Sequence, residues 1–345
     1  SVTAINALSV SNINTFNAGL VGVERLDFGS TLAQAVDLGR FDNISDIIIG
    51  GGNAGNTATA ISGLSATNNV EIQATAAQNI SFALATATGT ADVLNINLDS
   101  NAAIDLTSAA AQVTAANIET INIVGDDKTA TNASDTNLMQ LIATKATTIN
   151  VSGHDGLTLT NTGNTKVTTF DASGVTNSNA IGTDTAAKMA VTFTSANTSV
   201  AAQVSITGGA GDDVLQGNVG VDTISGGSGA DTITATAGND VSTGGAGNDT
   251  FAFTKALLIA NSGTTATFDG GAGTDILDFN EDNVTNIVDA DFRGITSVET
   301  LTTGDGTNNV VFGASADATG IKTVTGGTGA DRSEERRVGK ECRSR

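Results

Sequence analysis

The chain has 345 residues, with 15 basic and 36 acidic side chains that give a formal net charge of −21. Hydrophobic residues make up 39% of it, yet it has no Pro, Trp or Tyr, so any core must be thin and built from small and β-branched side chains. That charge repels nucleic acid and anionic membranes and makes multivalent cations the first partner to consider. No apolar run approaches the ~18 residues that span a bilayer.

The sequence opens at Ser1 with neither an initiator Met nor a signal-peptide pattern, which reads as a processed or truncated start. Residues 1–200 read as a β-rich region. Short Thr/Val/Ile/Asn stretches with period-two alternation, bounded by Gly, Asn, Asp or Ser, predict strands at Val93 to Leu98, Thr147 to Val151, Val167 to Asp171 and Val191 to Phe193. Helical patterns are few, at Thr31 to Leu38, Asn137 to Lys145 and Lys255 to Ala260, each too short to stand alone. A looser recurrence of apolar, Glu, any residue, apolar occurs at Val23-Glu24-Arg25-Leu26 and Ile118-Glu119-Thr120-Ile121, and again at Val298-Glu299-Thr300-Leu301. Its shared context makes the glutamates exposed repeat-position residues with no chemistry assigned.

Two features of this region imitate enzyme motifs. Ile47-Ile48-Ile49 runs into Gly50-Gly51-Gly52-Asn53-Ala54-Gly55, with Glu71 about twenty residues on, as in a dinucleotide fingerprint. The helix that motif requires is missing, because Asn56 to Ala66 is studded with Thr, Ser and Gly. His154, the single histidine, sits in Ser152-Gly153-His154-Asp155-Gly156 and reads as a loop residue. No HExxH or GxSxG motif is present, so no catalytic residue is assigned and the chain is read as a non-enzyme.

From Gly208 the register becomes strict. Five consecutive nonapeptides, GGAGDDVLQ, GNVGVDTIS, GGSGADTIT, ATAGNDVST and GGAGNDTFA, run to Ala252 without a slip. The sixth position is always Asp, at Asp213, Asp222, Asp231, Asp240 and Asp249; the eighth is Leu215, Ile224, Ile233, Ser242 and Phe251. Two outlying copies follow, GGAGTDILD from Gly270 to Asp278 and GGTGAD from Gly326 to Asp331.

This GGxGxDxUx pattern, with U a large apolar residue, resembles the calcium-binding nonapeptide of RTX (hemolysin-type) proteins. Glycine at the first, second and fourth positions permits positive φ and lets carbonyl oxygens crowd a common centre, while Asp adds a hard anionic oxygen. Calcium takes six to eight oxygens, which two stacked turns supply and one does not. The resemblance implies a parallel β-roll in which two nonapeptides complete a coil, so alternate repeats stack on one edge. One edge then carries Gly209, Gly211 and Asp213, Gly227, Gly229 and Asp231, and Gly245, Gly247 and Asp249, with good calcium sites expected between Asp213 and Asp231 and between Asp231 and Asp249. The other edge departs from the pattern at Asn218, Ala235 and Thr236 and is expected to form one weaker site from Asp222 and Asp240. Asp275, in the isolated copy, is a further candidate ligand.

The expected fold class is therefore all-β: a β-rich, solenoid-like body with a parallel β-roll and a few short helices. The domains are read as 1–200 β-rich, 201–280 the calcium-binding roll, 281–331 the start of a further β-rich module, and 332–345 a foreign tail. That tail, RSEERRVGKECRSR, holds the single cysteine, Cys342, and resembles translated sequencing adapter. Without it no disulfide can staple the chain, and bound metal is the alternative staple. The Ala/Thr/Asn-rich body and its Glu-bearing strands resemble calcium-dependent bacterial surface-layer proteins. That resemblance implies a secreted, extracellular or cell-surface structural protein, exported by type I secretion, that associates with itself into a lattice, with a cell-surface glycan or lipopolysaccharide as its candidate anchor. An RTX adhesin, or the non-catalytic region of an RTX secreted hydrolase, is the alternative.

Overall fold

The structure is a computed structural model that describes residues 24–29, 35–41, 44–50, 59–76, 78–100, 102–107, 111–127, 136–177, 185–261, 266–279, 281–329 and 331–335. The chain divides into two compact units, Ser1–Asn197 and Thr198–Arg345. Both are parallel β-solenoids in which successive strands alternate between two sheets, so each coil adds one strand to each.

In the first unit one sheet holds Arg25–Phe28, Asp46–Ile49, Asn69–Ile72, Val93–Ser100, Thr120–Asp127, Thr148–Gly153 and Thr169–Val175 in that order. The other holds Val36–Asp37, Thr59–Leu64, Ile80–Leu84, Val113–Ala115, Asn137–Ile142, Leu157–Thr160 and Val191–Thr194, with Asp105–Leu106 also beside Asn137–Ile142. Parallel in-register stacking puts like on like: Ile47, Val70, Ile96, Ile123 and Val151 pair in turn, each no more than 2% exposed. Inside the second sheet Phe193 stacks on Phe170 of the first, with ring centroids 4.0 Å apart, so large side chains bridge the thin core.

The coil corners of this unit are held by amide side chains, which donate and accept at once. The fully buried Asn164 accepts from the Ala143 N–H at 2.6 Å and donates to the Leu141 carbonyl at 2.8 Å. On the first sheet Asn150 donates to Asn122 and Asn122 to Asn95, both at 2.8 Å.

In the second unit one sheet orders Val204–Thr207, Asp222–Ser228, Val241–Ala246, Thr267–Ala272 and Ile295–Thr296. The other orders Val214–Gln216, Thr232–Thr234, Thr250–Phe253, Ile276–Phe279, Thr300–Thr303 and Thr323–Thr325. The eighth-position residues Leu215, Ile233, Phe251 and Leu277 form its inner column, which Leu301 continues; they pair in succession and none exceeds 1% exposure. Ser242 also faces inward, buried between Ile224 and Phe268. Asn309–Phe312 pairs with Arg332–Glu335, so the first residues of the foreign-looking tail add a strand, while Cys342 lies outside the described residues.

Two local expectations need correction. Asn137 to Lys145, read as helical, is the strand Asn137–Ile142 followed by a turn, with Asn137, Met139 and Leu141 buried in strict alternation. Its apolar spacing suited either period, and pairing with Asp105–Leu106, Val113–Ala115 and Leu157–Thr160 decides for the strand. Within Thr31 to Leu38, residues 31–34 lie outside the described residues, and the remainder is the strand Val36–Asp37 running into a 3-10 turn, Leu38–Arg40. Lys255–Asn261 is the α-helix its pattern predicts. Val23 and residues 51–55 lie outside the described residues. Among the described residues no helix is long and apolar enough to cross a membrane.

Candidate metal centre

The nonapeptide aspartates form two columns, one on each edge of the second unit. Along the first edge each carboxylate caps the coil before it. Asp231 Oδ1 accepts the Asp213 N–H, Asp249 Oδ1 the Asp231 N–H and Asp275 Oδ1 the Asp249 N–H, all at 2.8 Å. On the second edge Asp240 Oδ1 accepts the Asp222 N–H at 3.0 Å and Asp222 Oδ1 the Val204 N–H at 3.3 Å. All six aspartates are at most 1% exposed, a degree of burial that a carboxylate tolerates only when paired or bound to metal.

The second carboxylate oxygen separates the edges. Asp231 Oδ2, Asp249 Oδ2 and Asp275 Oδ2 are buried and accept no hydrogen bond from the protein. Asp213 differs, because its Oδ2 accepts from the Gly209 N–H at 2.7 Å. On the other edge both carboxylates have partners: Asn218 N–H donates to Asp222 Oδ2 at 2.6 Å, and the Thr236 hydroxyl donates to Asp240 Oδ2 at 3.1 Å. Thr236 stands where the pattern has glycine, so its hydroxyl occupies space that a cation would need.

The free oxygens look onto carbonyls. A Cβ built on Gly226 would collide with Asp231 Oδ2 and lie 2.6 Å from the Gly244 carbonyl oxygen; at Gly244 it would meet Asp249 Oδ2 and the Gly270 carbonyl. The first-position glycine therefore lets one carboxylate oxygen and the next coil's carbonyl oxygen approach each other across its Cα, where any side chain would intrude. Gly245, at the second position, has φ +122, and a Cβ there would collide with the Gly227 carbonyl. Gly209, Gly211, Gly227, Gly229 and Gly247 lie in the same stacked turns.

Burial out of water pushes the Asp231 carboxyl up to about 7 and those of Asp240 and Asp249 to about 6, and it raises Asp222 and Asp275. Backbone N–H bonds oppose the rise, and the like charges of neighbouring aspartates add to it along the first edge. Calcium, with its preference for several oxygens and flexible geometry, fits unpartnered carboxylate and carbonyl oxygens of this kind. Among the described residues no three His, Cys, Asp or Glu side chains gather closely enough to hold a metal by themselves, so backbone carbonyls must complete any such site.

Sequence reasoning placed Asp275 apart from the array, but the structure stacks it directly on Asp249, with Thr267–Ala272 paired in register on Val241–Ala246 and the helix Lys255–Asn261 between them in sequence. It also treated Glu119 and Glu299 as exposed. Both are half-buried, and their Oε2 atoms accept the backbone N–H groups of Asp92 at 3.1 Å and Asp275 at 3.0 Å. Asn117 and Ser297, two residues before each Glu, both have positive φ (58 and 53). Glu24 is exposed. His154 lies in a turn with Nδ1 2.9 Å from the Thr176 carbonyl oxygen.

The family described as RTX calcium-binding nonapeptide repeat (4 copies) matches residues 205–233 and 216–251. No curated protein matches the chain.

Proposed function

From a chain that carries RTX calcium-binding nonapeptide repeats on a parallel β-solenoid, we infer a secreted structural protein, a surface-layer subunit that folds and assembles on meeting extracellular calcium. The observation that carries this reading is the column Asp231, Asp249 and Asp275, each fully buried with one carboxylate oxygen left without a protein partner. Asp231 and Asp249, with the Gly244 and Gly270 carbonyls, would hold calcium, and Asp222 and Asp240 would hold it more weakly. The metal would supply the positive charge and oxygen affinity that these residues lack among themselves.

Extracellular modules bind calcium with Kd of roughly 10⁻⁴ to 10⁻³ M, so 1 mM calcium stabilises a 0.1 mM site by only about 1.4 kcal/mol. Several stacked sites must add to hold the second unit. In cytosol, where calcium is scarce, rows of buried aspartates disfavour folding, which suits export by a type I channel as an unfolded chain. The first unit builds its corners from Asn amides instead. A stiff stack with a calcium-gated section supports a structural role over a catalytic one, and the Ala/Thr/Asn-rich body with its Glu-bearing coils supports the surface-layer assignment.

Calcium titration followed by circular dichroism and light scattering, with magnesium as control, tests this reading. Calcium-specific gain of β-structure followed by rising scattering supports it. Gain of β-structure with no scattering favours an adhesin or a module of a secreted hydrolase, and no response removes the calcium sites altogether.

A further inference from the structure

We propose that the coil Ile295–Thr303 closes an additional divalent-cation site against the coil Gly270–Asp278, past the residues that match the repeat family, with Asp275 Oδ2 and the Ser297 carbonyl oxygen as donors and Glu299 as its cap. The proposal rests on the calcium-binding reading above. No glycine-rich motif marks this coil, yet it repeats two of the coil-to-coil bonds of the nonapeptides.

Glu299 takes the capping role of a nonapeptide aspartate. Its Oε2 accepts the Asp275 N–H at 3.0 Å, as Asp275 Oδ1 accepts the Asp249 N–H at 2.8 Å. Thr300 N–H donates to the Asp275 carbonyl at 3.0 Å, as Ile276 N–H donates to that of Asp249 at 2.8 Å. Leu301 then continues the inner column on Leu277. The turn before Glu299 is shorter than the turn from Gly270 to Asp275, and two features make up the difference: one extra methylene in Glu, and Ser297 held at φ 53, a left-handed backbone that the first-position glycines Gly226, Gly244 and Gly270 do not adopt.

The result is the same pairing of a carboxylate oxygen with the next coil's carbonyl. A Cβ on Gly270 would collide with the Ser297 carbonyl oxygen and Asp275 Oδ2, matching the Gly270 carbonyl and Asp249 Oδ2 around Gly244. Asp275 is 0% exposed and its Oδ2 accepts no hydrogen bond from the protein. Asp269, next to Gly270, has a second buried and unpartnered oxygen, Oδ1. The charges of Glu299 and Asp269 both act on Asp275. Two like charges beside a fully buried carboxylate with a spare oxygen form an arrangement that a cation compensates.

Equilibrium dialysis of the full chain against calcium, counting bound equivalents, tests the proposal with Glu299→Gln. The amide oxygen of Gln still accepts the Asp275 N–H, so only the charge is lost. The expected result is one equivalent fewer than wild type, with the remaining equivalents unchanged and the calcium-loaded circular dichroism spectrum preserved. Asp269→Asn, at a half-exposed side chain, provides a second variant, expected to weaken that same equivalent about tenfold. Wild-type stoichiometry and affinities in both variants overturn the proposal alone. A wild-type chain that binds no calcium overturns both this site and the function inferred above.

Discussion

The carboxylate of Asp249 accepts the backbone N–H of Asp231 at 2.8 Å with one oxygen and buries the other with no hydrogen bond at all. The first oxygen ties two coils together, and the second is an anionic group already stripped of water. Asp249→Asn separates these roles, because the amide oxygen keeps the coil-to-coil bond while an NH₂ replaces the free oxygen. The variant is expected to need at least about tenfold more calcium for the same gain of β-structure. Without calcium at pH 7.5 it is expected to be no less stable than wild type, since a buried charge is gone. Paired calcium titrations by circular dichroism check both parts.

The raised carboxyls set a pH dependence whose sign is opposite to ordinary acid denaturation. In the folded chain Asp231 titrates near 7 and Asp240 and Asp249 near 6, against 3.8 for a free carboxyl. Between those values the folded state binds more protons than the unfolded one, so the contribution to stability is fully present below pH 3.8 and is lost as the pH rises through 6 to 7. Thermal melts in chelator are expected to give a higher midpoint for the second unit at pH 5 than at pH 8. In millimolar calcium the order reverses, because protons compete for the same oxygens.

Gly245 illustrates how little room the stacked turns leave. At φ +122, with the Gly227 carbonyl where a Cβ would go, Gly245→Ala is expected to cost about 1–3 kcal/mol in backbone strain alone. The coil must then move away from its neighbour, so calcium affinity falls together with the melting temperature. Calorimetry with and without calcium measures both.

Much of the second unit was legible because its repeat is strict. Aspartate at every sixth position and an apolar residue at four of five eighth positions fixed the edges, and the inner column Leu215, Ile233 and Phe251 follows that register. The first unit hid the same architecture because its coils differ in length: 27 residues separate the bonded pair Asn95 and Asn122, 28 separate Asn122 and Asn150, and 21 separate Thr147 and Thr168. A solenoid needs in-register strands and not equal coils, so corners absorb the difference and sequence periodicity is lost. Glu299 was read as an exposed repeat-position residue for a related reason, since a longer side chain on a shorter turn reaches the position that Asp occupies elsewhere.

The amide-capped corners of the first unit are expected to ignore calcium. Asn164→Ala leaves the buried Ala143 N–H without its 2.6 Å acceptor, which costs about 2–3 kcal/mol. Denaturant melts of this unit are expected to shift by that amount equally in calcium and in chelator. A calcium-dependent shift would tie these corners to metal instead.

Hydrogen exchange at the amides of Asp213, Asp231 and Asp249, measured by mass spectrometry in millimolar calcium and in chelator, tests the central claim most directly. Each of these N–H groups donates to the carboxylate of the coil after it, so metal held by those carboxylates must slow their exchange. The account predicts strong protection in calcium, loss of it in chelator, and no comparable change around Asn164. Equal exchange at Asp213, Asp231 and Asp249 in both conditions would contradict it.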